Sequence, residues 1–171
     1  VALKTIQDID DTGRFRELAA TAPHLLRSEM IEAQLGNEGQ YLGIKQYLRD
    51  LTDTMLEDHY RIFEQISTSA IEKFYEEPNL EVNLPRPTGW EHAMQSFRHL
   101  GSDFARRVGS AATAQRWEHT DSNFKLSEIS QEKRDIAYVF ENMIRYVLPN
   151  FDAAVAIYEH QMDDFGELAT T

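Results

Sequence analysis

The sequence predicts an all-α fold of six or seven helices, arranged as a helical bundle or as a globin-like crossed assembly. Three observations carry this. Apolar residues recur at three- and four-residue steps along almost the whole chain, and no stretch alternates with β-branched enrichment. Gly and Pro number only 8 and 5 in 171 residues. A chain of this length buries roughly two thirds of the surface that its unfolded form exposes, so one apolar core can hold residues 1–171 as a single helical domain.

Asp11 or Thr12 can cap a first helix carrying Phe15, Leu18 and Ala19. Thr21 with Pro23 restarts the chain as a second helix bearing Leu25, Leu26, Met30 and Leu35, which Gly36 and Gly39 end. A third, from about Tyr41 to Tyr75, stripes Ile44, Leu48, Leu51, Met55, Ile62, Ile66 and Phe74 along one face. Unbroken, it would span about 50 Å, so a bend is expected near Leu51 to Thr54. Pro78, Pro85 and Pro87 make a loop of the segment from Glu76 to Gly89. Thr88 and Glu91 then form a T-x-x-E capping box for a helix with Trp90, Met94, Phe97, Phe104 and Val108 on its apolar face. A short helix is expected through Ala112 to Trp117. Ser127 or Ser130 starts another with Ile136, Phe140, Met143 and Val147; Pro149 interrupts it, and Asn150 restarts a last one.

Charge narrows the function. Lys and Arg number 17 against 29 Asp and Glu, a net −12 that repels phosphate backbones, so nucleic acid is not the expected partner. The sign reverses locally: Arg86, Arg98, Arg106, Arg107 and Arg116 face only Glu91 and Asp103. Such a strip either neutralises acidic neighbours within the fold or docks an acidic partner, with Arg98, Arg106 and Arg107 as its contacts. The longest apolar run, Ala153 to Tyr158, is far short of the roughly 18 residues of a membrane span, so membrane insertion is not expected. No basic and apolar leader pattern opens the sequence, and the expected location is the cytoplasm.

The absence of cysteine removes thiol nucleophiles, thiolate zinc and iron–sulfur ligation, and leaves imidazole and carboxylate chemistry. Most of the six histidines read as exposed. His59 falls on the apolar stripe of the third helix, where an imidazole either ligates haem iron or is satisfied within the core. His92, Ser96, His99 and Asp103 form a row on the helix opened by the capping box, and His99 with Asp103, one turn apart, offers two metal ligands but no third. No Glu-x-x-His pair of the di-iron kind occurs, because Glu91–His92, Glu118–His119 and Glu159–His160 are adjacent. Asp8, Asp10, Thr12 and Gly13 imitate half of a calcium loop, yet Ala19 stands where its bidentate Glu belongs. Phosphate-loop, G-x-S-x-G and H-E-x-x-H patterns are missing.

A histidine near the start of an early helix (His24), a Tyr-x-x-x-Leu spacing in the third and a Leu-Gly-Ser turn at Leu100 to Ser102 together resemble the haem oxygenases. The glycine-rich distal motif of that family is not present. The resemblance implies a haem or other tetrapyrrole ligand held by His24 or His59. The first reading is instead a non-catalytic helical binding domain, a subunit of a larger assembly or a regulatory module, whose partner is another protein or a second copy. The haem-binding reading stands as its alternative.

Overall fold

The computed structural model describes residues 2–64 and 69–170. One helix, α1 (Ala2–Leu35), runs straight through Pro23 where two helices were expected. The missing N–H and the ring clash at an interior proline cost about 3 kcal/mol. An uninterrupted buried stripe of Phe15, Ala19, Ala22, Leu26 and Ala33 offsets that cost. Asp11 and Thr12 therefore sit inside the helix, neither capping it nor forming a calcium loop. Asp8 pairs with Lys4, and Asp11 with Arg61 at 3.0 Å.

Gly36 does end α1. Its φ of +73° is left-handed, and the Asn37 N–H closes back on the Glu32 carbonyl at 3.1 Å. With only Gly36 and Asn37 between them, α1 and α2 (Glu38–Glu64) fold antiparallel, so Arg14 of one grips Asp58 of the other. Gly39 lies inside α2, and the helix passes through Leu51 to Thr54 without the expected break because Leu48, Leu51, Met55 and Ile62 keep one face buried. Ile66, expected on the same stripe, lies outside the described residues. A shorter helix, α3 (Ser69–Glu76), follows.

The segment expected as a loop and a helix start is a β-hairpin, β1 (Leu80–Arg86) paired antiparallel with β2 (Gly89–Gln95). Val82 and Leu84 alternate into the core over too few residues to reveal a period of two. Pro87 and Thr88 form the tip, and Gly89 takes a φ of +130° that other residues rarely adopt, which ends any helix at the T-x-x-E motif. Glu91 pairs with Arg86 across the hairpin at 3.0 Å. The helix begins eight residues later than that box would start it: Ser96 caps α4 (Phe97–Ala112), its hydroxyl accepting the His99 N–H at 3.1 Å.

After α4 come the short α5 (Arg116–Thr120), where the Glu118 carboxylate accepts the Gln115 N–H at 2.7 Å, and α6 (Gln131–Asn142), capped by Ser130. Buried Asn142 ties the hairpin to α6: its amide oxygen accepts the Asn83 N–H and its amide nitrogen donates to the Asn83 carbonyl, both at 2.8 Å. Met143–Val147 then widen into a π-helical turn that continues directly into α7 (Leu148–Thr170). The expected interruption at Pro149 thus takes a gentler form. The wider turn makes room for the ring, and the Asn150 amide donates to the Tyr146 carbonyl at 2.7 Å.

The fold is mostly helical, with this hairpin as an addition to the expected all-α class. Its core centres on Phe15, Phe97, Phe104 and Phe151, with Phe15 and Phe151 stacked at 4.2 Å. Among the described residues no helix is long and apolar enough to cross a membrane.

Candidate functional site

Helix α4 packs against α2, α6 and the hairpin and carries three of the five arginines of the strip, Arg98 and Arg106 exposed and Arg107 turned towards α6. The fold supplies most of those arginines with an acid. Arg86 meets Glu91, Arg98 donates to Glu76 at 2.9 Å while lying over the Phe63 ring, and Arg116 pairs with Glu38. Arg107 is held between Asp103 at 3.0 Å and Asp135 at 2.8 Å. Arg106 is different: among the described residues its guanidinium reaches only the carbonyl and hydroxyl of Ser102, on its own helix.

A cleft of about 320 Å³ opens beside it, walled by Pro85, Arg86 and Pro87 of the hairpin tip, by Asp103, Arg106, Arg107 and Ser110 of α4, and by Gln131 and Asp135 of α6. Its floor is rigid. Asp135 accepts hydrogen bonds from the Ser110 hydroxyl at 2.6 Å and the Gln131 amide at 3.0 Å as well as from Arg107. Burial lifts the Asp135 carboxyl above its ordinary range against those three donors. The same burial opposes the charge of Arg107, yet Asp103 and Asp135 together hold its guanidinium above its usual value. The Arg107 guanidinium also lies 4.6 Å from the ring centroid of fully buried Tyr138. A neighbouring groove of about 510 Å³ shares Pro87 and is flanked by half-exposed Trp90, Lys125 and Leu126.

The structure brings Asp103, Arg106 and Arg107 together, and leaves Arg98 and His99 outside the cleft lining. His92 lies on β2, so the expected row of His92, Ser96, His99 and Asp103 does not exist as one helical face. Asp103 is engaged by Arg107 and, at 3.5 Å, by the Gln95 amide. Among the described residues no three metal-ligating side chains gather, so His99 and Asp103 gain no third partner. Asp135, Ser110 and Gln131 were not singled out from the sequence. Their spacing shows that Gln131 and Asp135 share a face of α6, but not that this face meets α4.

The two histidines considered as haem ligands lie in unlike places. His59 is buried, its Nε2 donating to the Arg98 carbonyl at 3.0 Å, with Phe15, Phe63, Phe97 and Phe151 around its ring. A Cβ placed on Gly101 would lie 2.8 Å from its Nδ1 and closer still to Cε1 and Nε2, so the ring fills the space a side chain would take. Burial pushes its pKa down to about 4, despite that carbonyl, and it is neutral at pH 7. His24 is exposed on the lip of a groove of about 430 Å³ formed with Pro23, Arg27, Phe140, Met143 and Ile144. A further buried histidine, His119, escaped the sequence reading. It sits 3.0 Å from the equally buried Glu29, a pairing between α5 and α1 that no local spacing foreshadows.

The fold and cleft define a mostly helical protein whose hairpin tip and two helices enclose a polar, arginine-lined cleft. Comparison with protein-family models, with curated proteins and with solved structures finds no match.

Proposed function

We propose that this chain is a non-catalytic binding domain that docks an acidic segment of another protein in the cleft between the hairpin tip, α4 and α6. The observation that supports it is Arg106. Both carboxylates of the cleft are engaged by Arg107, so Arg106 faces the opening with no acid among the described residues paired to it, in a molecule of net charge −12. Arg86 adds a second guanidinium whose pairing with Glu91 is exposed on both sides and therefore worth little against a partner's carboxylate. Trp90 and the adjoining groove offer an apolar side chain of the same segment a place to anchor. We place the encounter in the cytoplasm, on the cysteine-free composition.

The test uses a fluorescein-labelled peptide of glutamates interrupted by leucines, followed by fluorescence anisotropy. The dissociation constant is expected to rise with salt, and Arg106→Ala to weaken binding about tenfold, the worth of one charge-assisted hydrogen bond. Arg98→Ala, outside the cleft, should leave binding unchanged. Equal binding by the parent and Arg106→Ala refutes the reading. Self-association that Arg106→Ala disrupts would instead make a second copy the partner.

The haem reading keeps one supporting observation, the place of His24 on an apolar groove. Haemin added to the protein should then give a Soret shift that His24→Ala abolishes and His59→Gln leaves in place. No shift, or one indifferent to His24→Ala, ends it.

A further inference from the structure

The groove beside His24 carries three features that the docking cleft does not explain. Ile144 is 72% exposed and Phe140 38% exposed, although both belong to apolar helix faces. Arg27 has no carboxylate: its guanidinium lies 6.0 Å from the Phe140 ring centroid, and no acid among the described residues pairs with it. The π-helical turn, a form concentrated at functional sites, begins at Met143 and presents Ile144 outward. An arginine left without an acid in so acidic a chain, at the rim of an apolar groove, is complementary to an anion with an apolar body.

We infer that this groove binds a small aromatic anion, a planar ring system bearing one carboxylate or sulfonate. The ring lies against Phe140, Met143 and Ile144, and the anionic group meets Arg27 with His24 beside it. Phe140 favours a planar body over an aliphatic chain, because one aromatic ring packs well against another and Arg27, 6.0 Å from the Phe140 centroid, stands at the edge where the anionic group of such a ligand would lie. A volume of about 430 Å³ lies within the range of small-molecule sites. The inference does not rest on the docking cleft, nor on haem, for which His24 and not Arg27 would be decisive.

The test is a fluorescence titration with anilinonaphthalene sulfonate, with naphthoate, uncharged naphthalene and laurate as competitors. Saturable enhancement is expected, displaced by naphthoate and at least fivefold less well by naphthalene or laurate. Arg27→Gln should weaken the probe about tenfold and Ile144→Ser about threefold, with Arg106→Ala at the parent value. Both altered side chains are exposed, so the variants should keep the parent's circular dichroism and unfolding midpoint. Binding within twofold of the parent for both Arg27→Gln and Ile144→Ser overturns the inference, as does failure of naphthoate to displace the probe. Displacement by laurate as strong as by naphthoate overturns the choice of a planar ligand.

Discussion

Replacing Gly101 by alanine tests the packing at the centre of the fold. The added methyl would fall on the His59 ring, 2.8 Å from Nδ1 and nearer to two other ring atoms, distances that real Cβ atoms do not show. The ring has nowhere to go. Phe15, Phe63, Phe97 and Phe151 surround it with centroids 5.4, 4.7, 5.4 and 6.0 Å away. Overpacking a filled core costs about 1–3 kcal/mol. Displacing the imidazole also breaks its bond to the Arg98 carbonyl and strands a buried donor, adding about 1–3 kcal/mol. The total of about 4 kcal/mol is a large share of the roughly 5–15 kcal/mol that holds a domain together. At 2–4 °C per kcal/mol for a domain of this size, Tm should fall by about 8–16 °C. Urea and thermal unfolding followed by circular dichroism measure both. In the double variant His59→Ala/Gly101→Ala the methyl has room, so the two losses should sum to less than their separate values by about 2 kcal/mol. A Gly101→Ala protein within 1 kcal/mol of the parent, or strict additivity in the double variant, would refute this reasoning.

His59 also fixes a pH dependence. Its folded pKa of about 4 lies below the unfolded 6.5, so between those values the unfolded chain binds a proton that the folded one refuses. Stability contributed by the neutral ring is complete above pH 6.5 and falls by about 3 kcal/mol as pH drops to 4. His59→Gln keeps an amide donor for the Arg98 carbonyl but does not titrate, so urea midpoints should depend less steeply on pH in that window; equal slopes would sink the idea. Asp8 and Asp135, both raised by burial, act in the opposite sense, because the folded state takes up their protons first. Arg107→Met should cost about 3 kcal/mol by leaving buried Asp135 without its cation, and adding Asp135→Asn should recover part of that. A loss under 0.5 kcal/mol would show that Arg107 does not hold the cleft floor.

Helix periodicity was enough to read most of the fold, since Leu48, Met55, Phe104, Ile136 and Phe151 do form the core. End signals were less dependable. Gly36 and Ser130 act as read, because a left-handed turn and a cap are local events. Thr88 and Glu91 mimic a capping box inside a hairpin, because the motif does not record the backbone angle of Gly89 between them. Pro23 marks a helix start and Pro149 an interruption by their local chemistry, but tertiary packing carries one helix through the first and a widened turn absorbs the second. In the cleft, Arg106 and Arg107 were visible as charge, whereas Asp135 became relevant only through contact between helices far apart in sequence.

Helix α6 begins as a wall of one hollow and ends as a wall of another: Gln131 and Asp135 line the arginine cleft, and Phe140 lines the groove of His24. The 12 residues of α6, roughly 18 Å of regular helix, carry both. The two hollows therefore share one wall. If occupancy of one hollow changed affinity at the other, reciprocity would make the reverse effect equal in size.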